Sequence, residues 1–252
     1  MTLDEFNHVA KSVKPFTDFV YFHLMGEPLL HPLLGDFIEI ASENGLRVCL
    51  TTNGSLLKDK TALLLSHINS IHKISISLQA QEANGNNLNL DSYLKDCIDF
   101  GKQVEGKTIL VYRLWNDGGQ NSNNPKILDA LHKAFNSEWI KHPSGATIGN
   151  RVFLEHGEKF DWPNADEDNS KCTQDRYFCY GLKDQIGILS NGTVVPCCLD
   201  NNGTIALGNV FNEDLGEIIR SDRAQKICEE FKNGKAAEDL CKSCGYATRF
   251  QK

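Results

Sequence analysis

Apolar and polar positions in the first part of the chain recur with two periods, one typical of strands and one of helices. Strand patterns cover 18–24, 47–51, 73–78, 108–115 and 151–154, and helical patterns cover 2–13, 33–44, 56–67, 91–104 and 125–135. Strands that alternate with helices of this length are typical of right-handed βαβ units. The pattern therefore predicts a parallel α/β sheet.

A second region follows a stretch rich in acidic and turn-forming residues, 155–170. Two short apolar runs, 185–189 and 193–195, flank Ser190-Asn-Gly, which predicts a β-hairpin. Residues 214–231 have a helical pattern and are predicted to form one helix. We therefore predict two domains, residues 1–165 and residues 166–252.

Composition and charge narrow the class of protein. With 40% hydrophobic and 23% charged residues, the 252-residue chain resembles an ordinary globular protein. A net charge of −7 gives no electrostatic footprint for nucleic acid. No apolar run is long enough to span a membrane, and the first residues do not resemble a signal peptide. We expect a cytoplasmic protein without structural disulfides.

The cysteines are concentrated near the end of the chain, where seven of the nine lie between 172 and 244. Four of them form a metal-ligand pattern, Cys179, Cys197, Cys241 and Cys244. Cys241 and Cys244 form a Cys-x-x-Cys loop, which can place two sulfurs on one centre. Four converging thiolates suit either zinc or an iron–sulfur cluster.

Some ligand assignments stay open. Cys197 and Cys198 point in opposite directions if the chain is extended, so we expect only one to bind, with Cys197 favoured. Cys172 could replace Cys179. The remaining cysteines are predicted to be core residues: Cys49, Cys97 and Cys228.

Polar residues stand at the ends of the predicted strands. These residues are Gly26-Glu27-Pro28, Thr52-Asn53-Gly54, Ser77 and Arg113. The carboxyl ends of parallel strands are where chemistry gathers in such sheets, although an ordinary turn explains Gly-Glu-Pro equally well. Arg113 interrupts a buried strand and requires an anion, either an internal carboxylate or a ligand carboxylate. No hydrolytic nucleophile–base set or phosphate loop is present, and we assign no catalytic residue.

Taken together, these motifs resemble those of the radical S-adenosylmethionine superfamily with a SPASM-type auxiliary cluster domain. The resemblance spans nearly the whole chain. It rests on the segments 22–32, 51–56, 75–78, 111–116, 187–200, 207–210 and 240–245. It implies an incomplete parallel (β/α) barrel missing its first strand, followed by a small cysteine-rich α+β domain.

The resemblance also implies roles for residues. Contacts with the methionine amino group of S-adenosylmethionine would come from Gly26, Glu27 and Pro28. The ribose and methionine would be lined by Thr52, Asn53 and Ser77, and Arg113 would pair with the methionine carboxylate. An auxiliary [4Fe–4S] cluster would be held by Cys179, Cys197, Cys241 and Cys244.

One departure from the superfamily is large. Its chemistry depends on a Cys-x3-Cys-x2-Cys loop, whose cluster reduces S-adenosylmethionine to a 5′-deoxyadenosyl radical, and no such triplet occurs in these 252 residues. We expect an N-terminally truncated form of a longer oxidoreductase, rather than a genuine short form. In either case the chain by itself is expected not to cleave the cofactor.

A second class of function remains open, a non-catalytic zinc or cluster protein that acts as a binding module on a degenerate barrel. For the enzyme, the expected partners are a substrate, often a peptide in such families, and an electron donor. We expect neither nucleic acid nor membrane as a partner. An unpaired strand edge at the barrel would favour a homodimer.

Overall fold

The computed structural model of the protein describes residues 1–83, 89–135, 138–164 and 178–247. The chain divides into two compact units, one formed by 17–159 and the other by 1–16 together with 160–252. The predicted domain boundary after residue 165 stays a prediction.

A seven-stranded sheet and a three-stranded sheet form the β-structure. The strands are β1 (Phe19–Phe22), β2 (Arg47–Thr52), β3 (Ile71–Ser77), β4 (Ile109–Asp117), β5 (Ile140–His142), β6 (Gly145–Gly149), β7 (Val152–Glu158), β8 (Gly187–Ile188), β9 (Thr193–Val195) and β10 (Gly208–Asn209). The larger sheet has the order β1-β2-β3-β4-β7-β6-β5, and the smaller has the order β10-β9-β8.

Helices connect most of these strands. They are α1 (Leu3–Val13), α2 (Leu34–Glu43), α3 (Leu57–Ser66), α4 (Ala80–Ala83), α5 (Leu90–Val104), α6 (Asn124–Ala134), α7 (Leu215–Ile219), α8 (Asp222–Lys232) and α9 (Asp239–Lys242), with 3-10 turns at Pro28–Leu30 and Ile68–Ser70. Among the described residues, none of these helices combines the length and apolar character needed to cross a bilayer.

The first unit is the predicted parallel α/β sheet. Strands β1, β2, β3, β4 and β7 pair in parallel, whereas β5 and β6 complete the sheet as antiparallel strands. Val48, Ile74 and Leu110 are fully buried and belong to the apolar core of this unit. The mostly parallel sheet confirms the predicted class, while the missing first strand of a barrel stays a prediction.

The second unit contains the predicted hairpin, since β8 and β9 pair as antiparallel strands. Helix α1 begins with a capping box, in which the Thr2 hydroxyl accepts the Glu5 N–H and the Glu5 carboxylate accepts the Thr2 N–H. One helix prediction was wrong: residues 214–231 form two helices, α7 and α8. The break lies at Ser221, whose hydroxyl accepts the Ala224 N–H and so caps the start of α8.

Candidate metal centre and cofactor site

The Glu27 carboxylate joins the ends of two neighbouring strands. Gly26, with φ +89°, turns the chain after β1, and Glu27 then caps the 3-10 turn that begins at Pro28. Glu27 Oε1 accepts the Leu29 N–H at 3.0 Å and the Thr52 hydroxyl at 2.7 Å. Its other oxygen, Oε2, accepts the Asn53 N–H at 2.7 Å, so this carboxylate ties the segment after β1 to the end of β2.

The Glu27 carboxylate can accept one hydrogen bond more than the described protein donors supply. An ionised carboxyl group can accept about four hydrogen bonds, and three protein donors reach Glu27. Within 1–83, 89–135, 138–164 and 178–247, no lysine or arginine forms an ion pair with it. A half-buried negative charge of this kind fits a cationic ligand group such as an ammonium.

The turn after β2 is held by hydrogen bonds at each residue. Thr52, only 2% exposed, accepts the Gly54 N–H at 3.0 Å. The Asn53 side-chain oxygen accepts the N–H and hydroxyl of Ser55, and the Asn53 carbonyl accepts the Tyr93 hydroxyl at 2.7 Å. Gly54 has φ +79°, and a Cβ there would lie 2.9 Å from a neighbouring sulfur, so the turn requires glycine.

Arg113 lies on β4 opposite Ser77 of β3 in the parallel register. On its other side it is paired with Glu155 of β7, and Arg113 Nε lies 3.7 Å from Glu155 Oε2. The guanidinium carbon also lies 4.5 Å from the ring centroid of Trp115. The structure therefore shows Arg113 paired with an internal carboxylate, while its pairing with a ligand carboxylate stays a prediction. Glu155 is not among the site residues predicted from the sequence.

Strand register places the predicted cofactor residues at one edge of the sheet. Thr52 is the register partner of Ile76, next to Ser77, and Ser77 is the register partner of Arg113. Burial and, to a smaller extent, the charge of Arg113 lower the pKa of His23, which follows β1. The edge therefore combines a carboxylate, hydroxyls and a guanidinium at the carboxyl ends of β1 to β4.

The four predicted metal-ligand cysteines lie in one part of the second unit. Cys241 on α9 is 9% exposed and Cys244 is 7% exposed, and both belong to a buried apolar cluster. Cys179 and Cys197 pack against the same cluster, and so does Cys198, the alternative to Cys197.

The sulfurs also influence one another and receive N–H donors. Burial raises the pKa of Cys197 to about 12, N–H groups of Leu199 and Asp200 lower it, and Cys179 and Cys198 raise it. Burial likewise raises the pKa of Cys241, with smaller contributions from Cys197, Cys179 and Cys244.

A further N–H donor, that of Gly181, lies 3.3 Å from the sulfur of Cys179. Hydrogen bonds to sulfur are one of the features that tune iron–sulfur clusters, so this donor set fits such a group.

The other five cysteines of the chain were predicted to be alternative ligands or core residues. Cys198 Sγ lies 3.9 Å from Gln185 Oε1 on the partly exposed side, and Cys172 lies outside the described residues. Cys228 was predicted to be a core residue, which was wrong: it is half-buried within α8, whose buried face is formed by Ala224, Ile227 and Phe231. Cys49 and Cys97 are buried, as predicted.

The described side chains do not form a site for a single metal ion. No three histidine, cysteine, aspartate or glutamate side chains there are grouped so that they could hold one metal ion. The cysteines share one buried region, therefore, without forming a compact mononuclear site.

Comparison with known proteins identifies the cysteine-rich region. Residues 179–245 match the model of SPASM, an iron–sulfur cluster-binding domain. An uncharacterized protein of Treponema pallidum (strain Nichols) is 26% identical over 236 residues, which are 88% of this chain and 62% of that protein. The chain thus spans less than two thirds of the length of this relative.

Two solved structures share the fold. BtrN, solved with AdoMet and 2-DOIA, is 19% identical with a TM-score of 0.60, over 97% of this chain and 80% of BtrN. SuiB of Streptococcus suis, solved with S-adenosylmethionine, is 16% identical with a TM-score of 0.61, over 97% of this chain and 65% of SuiB. The domain match confirms the SPASM part of the resemblance over residues 179–245, and the two solved structures show that the chain shares their fold.

Proposed function

We propose that this chain, whose residues 179–245 match the SPASM model and whose fold is shared with BtrN and SuiB, binds an iron–sulfur cluster and S-adenosylmethionine as part of a radical oxidoreductase. The observation that carries the proposal is the set of four cysteines in one buried region, with N–H donors near their sulfurs. The proposal includes hydrogen abstraction from a substrate, an external electron donor and a cytoplasmic location.

The cluster ligands in this proposal are Cys179, Cys197, Cys241 and Cys244. The neighbours of Cys241 support this set, because the sulfurs of Cys197, Cys179 and Cys244 all contribute to the raised pKa of its thiol. We propose a [4Fe–4S] cluster rather than zinc. Such a cluster supplies electron transfer, and four thiolates leave none of its irons open, so we assign it a relay or structural role.

S-adenosylmethionine would be held at the carboxyl-end edge of the first unit. The methionine ammonium fits Glu27, because this carboxylate has one acceptor position left and no cationic partner among the described side chains. The methionine carboxylate would pair with Arg113, which Glu155 and the Trp115 ring hold in place. Thr52, Asn53 and Ser77 would line the space between the two charged groups.

We further propose that this 252-residue polypeptide, by itself, does not cleave S-adenosylmethionine. Its sequence has no Cys-x3-Cys-x2-Cys loop, so it lacks the three closely spaced thiolates that would hold the cluster needed to reduce the cofactor. Incubation with S-adenosylmethionine and dithionite after iron and sulfide reconstitution should yield no 5′-deoxyadenosine. Turnover by the purified chain would refute this part of the proposal.

Anaerobic reconstitution with iron, sulfide and zinc in competition tests the cluster. We expect a broad visible absorption band and about four irons per chain. Stoichiometric zinc without iron uptake would overturn the cluster assignment and favour the zinc-binding module.

Calorimetry with S-adenosylmethionine tests the cofactor edge separately. Arg113→Ala should weaken binding about tenfold or more, because a charge-assisted pair is worth about 1.5–3 kcal/mol. Arg47→Ala is a matched control, since Arg47 lies at the amino end of β2, away from the carboxyl ends of the strands, and its guanidinium contacts the Phe19 ring. Equal affinities of wild type and Arg113→Ala would remove Arg113 from the site.

A homodimer through β1 belongs to the same proposal. β1 lies at one edge of the larger sheet, and an edge strand can pair with another chain. Sedimentation velocity should show a dimer that a proline at Val20 dissociates. A monomer at every concentration would exclude this arrangement.

A further inference from the structure

A cavity of about 550 Å³ lies on the first unit, and its wall contains none of the residues assigned so far to S-adenosylmethionine, although it includes Glu155, the ion-pair partner of Arg113. Three of its wall residues are at one level of the sheet, since Tyr21, Cys49 and Lys73 are register partners on β1, β2 and β3. The size is within the range of about 300–1,000 Å³ that is typical of sites for small molecules.

Lys73 brings a positive charge into this wall. Among the residues that the structure describes, no aspartate or glutamate forms an ion pair with Lys73. The other charged wall residue is Glu155, which is already 3.7 Å from Arg113. The ammonium of Lys73 is thus the uncompensated charge of the cavity, and a partly buried lysine favours an anion.

The charge of Lys73 also acts on the Cys49 thiol in the same wall. Burial raises the pKa of this thiol, whereas the Tyr21 hydroxyl and then the charges of Lys73 and Arg47 lower it. Cys49 is 4% exposed and Lys73 is half-buried, and both line the cavity.

Apolar and aromatic side chains share the rest of the wall with His72, His142 and Ser144. Phe19, Val111 and Phe153 contribute hydrophobic surface, and the Tyr21 ring is 59% exposed, which is high for an aromatic side chain. An aromatic wall with one cation fits a ligand that has an apolar or aromatic body and one anionic end.

We propose that this cavity binds a small organic carboxylate, with Lys73 as the residue that recognises the carboxylate group. Lys73 is four residues before Ser77 on β3, which corresponds to about 13 Å along the strand. A ligand anchored at Lys73 would extend from the cavity toward the carboxyl-end edge. That such a ligand is the substrate rests on the proposed function, whereas carboxylate binding at Lys73 does not.

Calorimetry of the full 252-residue chain tests carboxylate binding at Lys73. Iron and S-adenosylmethionine are left out, so that a negative result for the carboxylate is distinguishable from a failure of the proposed function. The probes are 3-phenylpropionate and 3-phenylpropionamide, which differ in charge but share shape. We expect the acid to bind at least tenfold more tightly than the amide. A phenylalanine-terminated tripeptide with a free or amidated C-terminus shows whether the same carboxylate can come from a peptide end.

Variants assign the effect to Lys73. Lys73→Met keeps most of the stem and should weaken 3-phenylpropionate at least tenfold, whereas Lys73→Arg should retain binding. Lys95→Met, on exposed α5, is the matched control and should bind like wild type. No binding of the acid by wild type, equal binding of acid and amide, or unchanged binding by a folded Lys73→Met chain would each overturn the proposal.

Discussion

Replacing Glu27 by glutamine alters the contact that joins β1 and β2. Two donors, the Leu29 N–H and the Thr52 hydroxyl, converge on Oε1, and one donor, the Asn53 N–H, reaches Oε2. Glutamine has one oxygen and one NH₂ group, so its oxygen should take the position with two donors. Its NH₂ would then face the Asn53 N–H, donor against donor.

The magnitude follows from this geometry. One charge-assisted hydrogen bond is lost, which costs about 1.5–3 kcal/mol, and the remaining two become neutral bonds. Because Glu27 is half-buried and water can reach it, we expect Glu27→Gln to lower the free energy of unfolding by about 2 kcal/mol. In a chain of this size that corresponds to a decrease in Tm of about 4–8 °C.

Differential scanning calorimetry and urea unfolding measure this change. Glu43→Gln is the matched control, because Glu43 is exposed at the end of α2, and it should remain within about 0.5 kcal/mol of wild type. If Glu27→Gln were as stable as Glu43→Gln, the carboxylate would not hold the two strand ends together, and the description of this edge would be incorrect.

Two further predictions concern packing and pH. In Gly101→Ala the new Cβ would lie 1.9 Å from the buried Tyr112 hydroxyl. We therefore expect urea unfolding to show a free energy of unfolding that is lower by about 2–3 kcal/mol, and Tyr112→Phe to restore part of it. If the double variant were no more stable than Gly101→Ala, the clash would be refuted. Burial and the charge of Arg113 lower the pKa of His23, so the unfolded chain, where histidine titrates near about 6.5, binds the proton first. The free energy of unfolding should therefore fall as pH drops below about 7, and His23→Gln should flatten this dependence; equal slopes would contradict it.

The longer elements of the first unit could be predicted because their periods are regular. β2, β3 and α5 begin and end within two residues of the predicted limits. The β5–β6 hairpin was missed because β5 has three residues, all exposed, and so carries no alternation. The division of 214–231 did have a local signal, since Ser221 is a helix-capping residue followed by Asp222.

The positions of the candidate site at the strand ends were predicted from the sequence, whereas the contacts between its side chains were not. Motif positions identified Glu27, Thr52 and Arg113, yet the bond between Glu27 and Thr52 depends on strand pairing that the sequence alone does not specify. Glu155 had no local signal, because it reaches Arg113 only through the register of β4 and β7. Partners that come from distant segments are fixed by the fold and not by sequence spacing.

Iron content after anaerobic reconstitution of two neighbouring cysteine variants tests whether four cysteines of the second unit hold one cluster. We expect Cys197→Ala to lose most of the iron and the visible absorption band, and Cys198→Ala to retain about four irons per chain. Full iron loading of Cys197→Ala, or equal loss in both variants, would contradict the assignment of Cys179, Cys197, Cys241 and Cys244 to a single cluster.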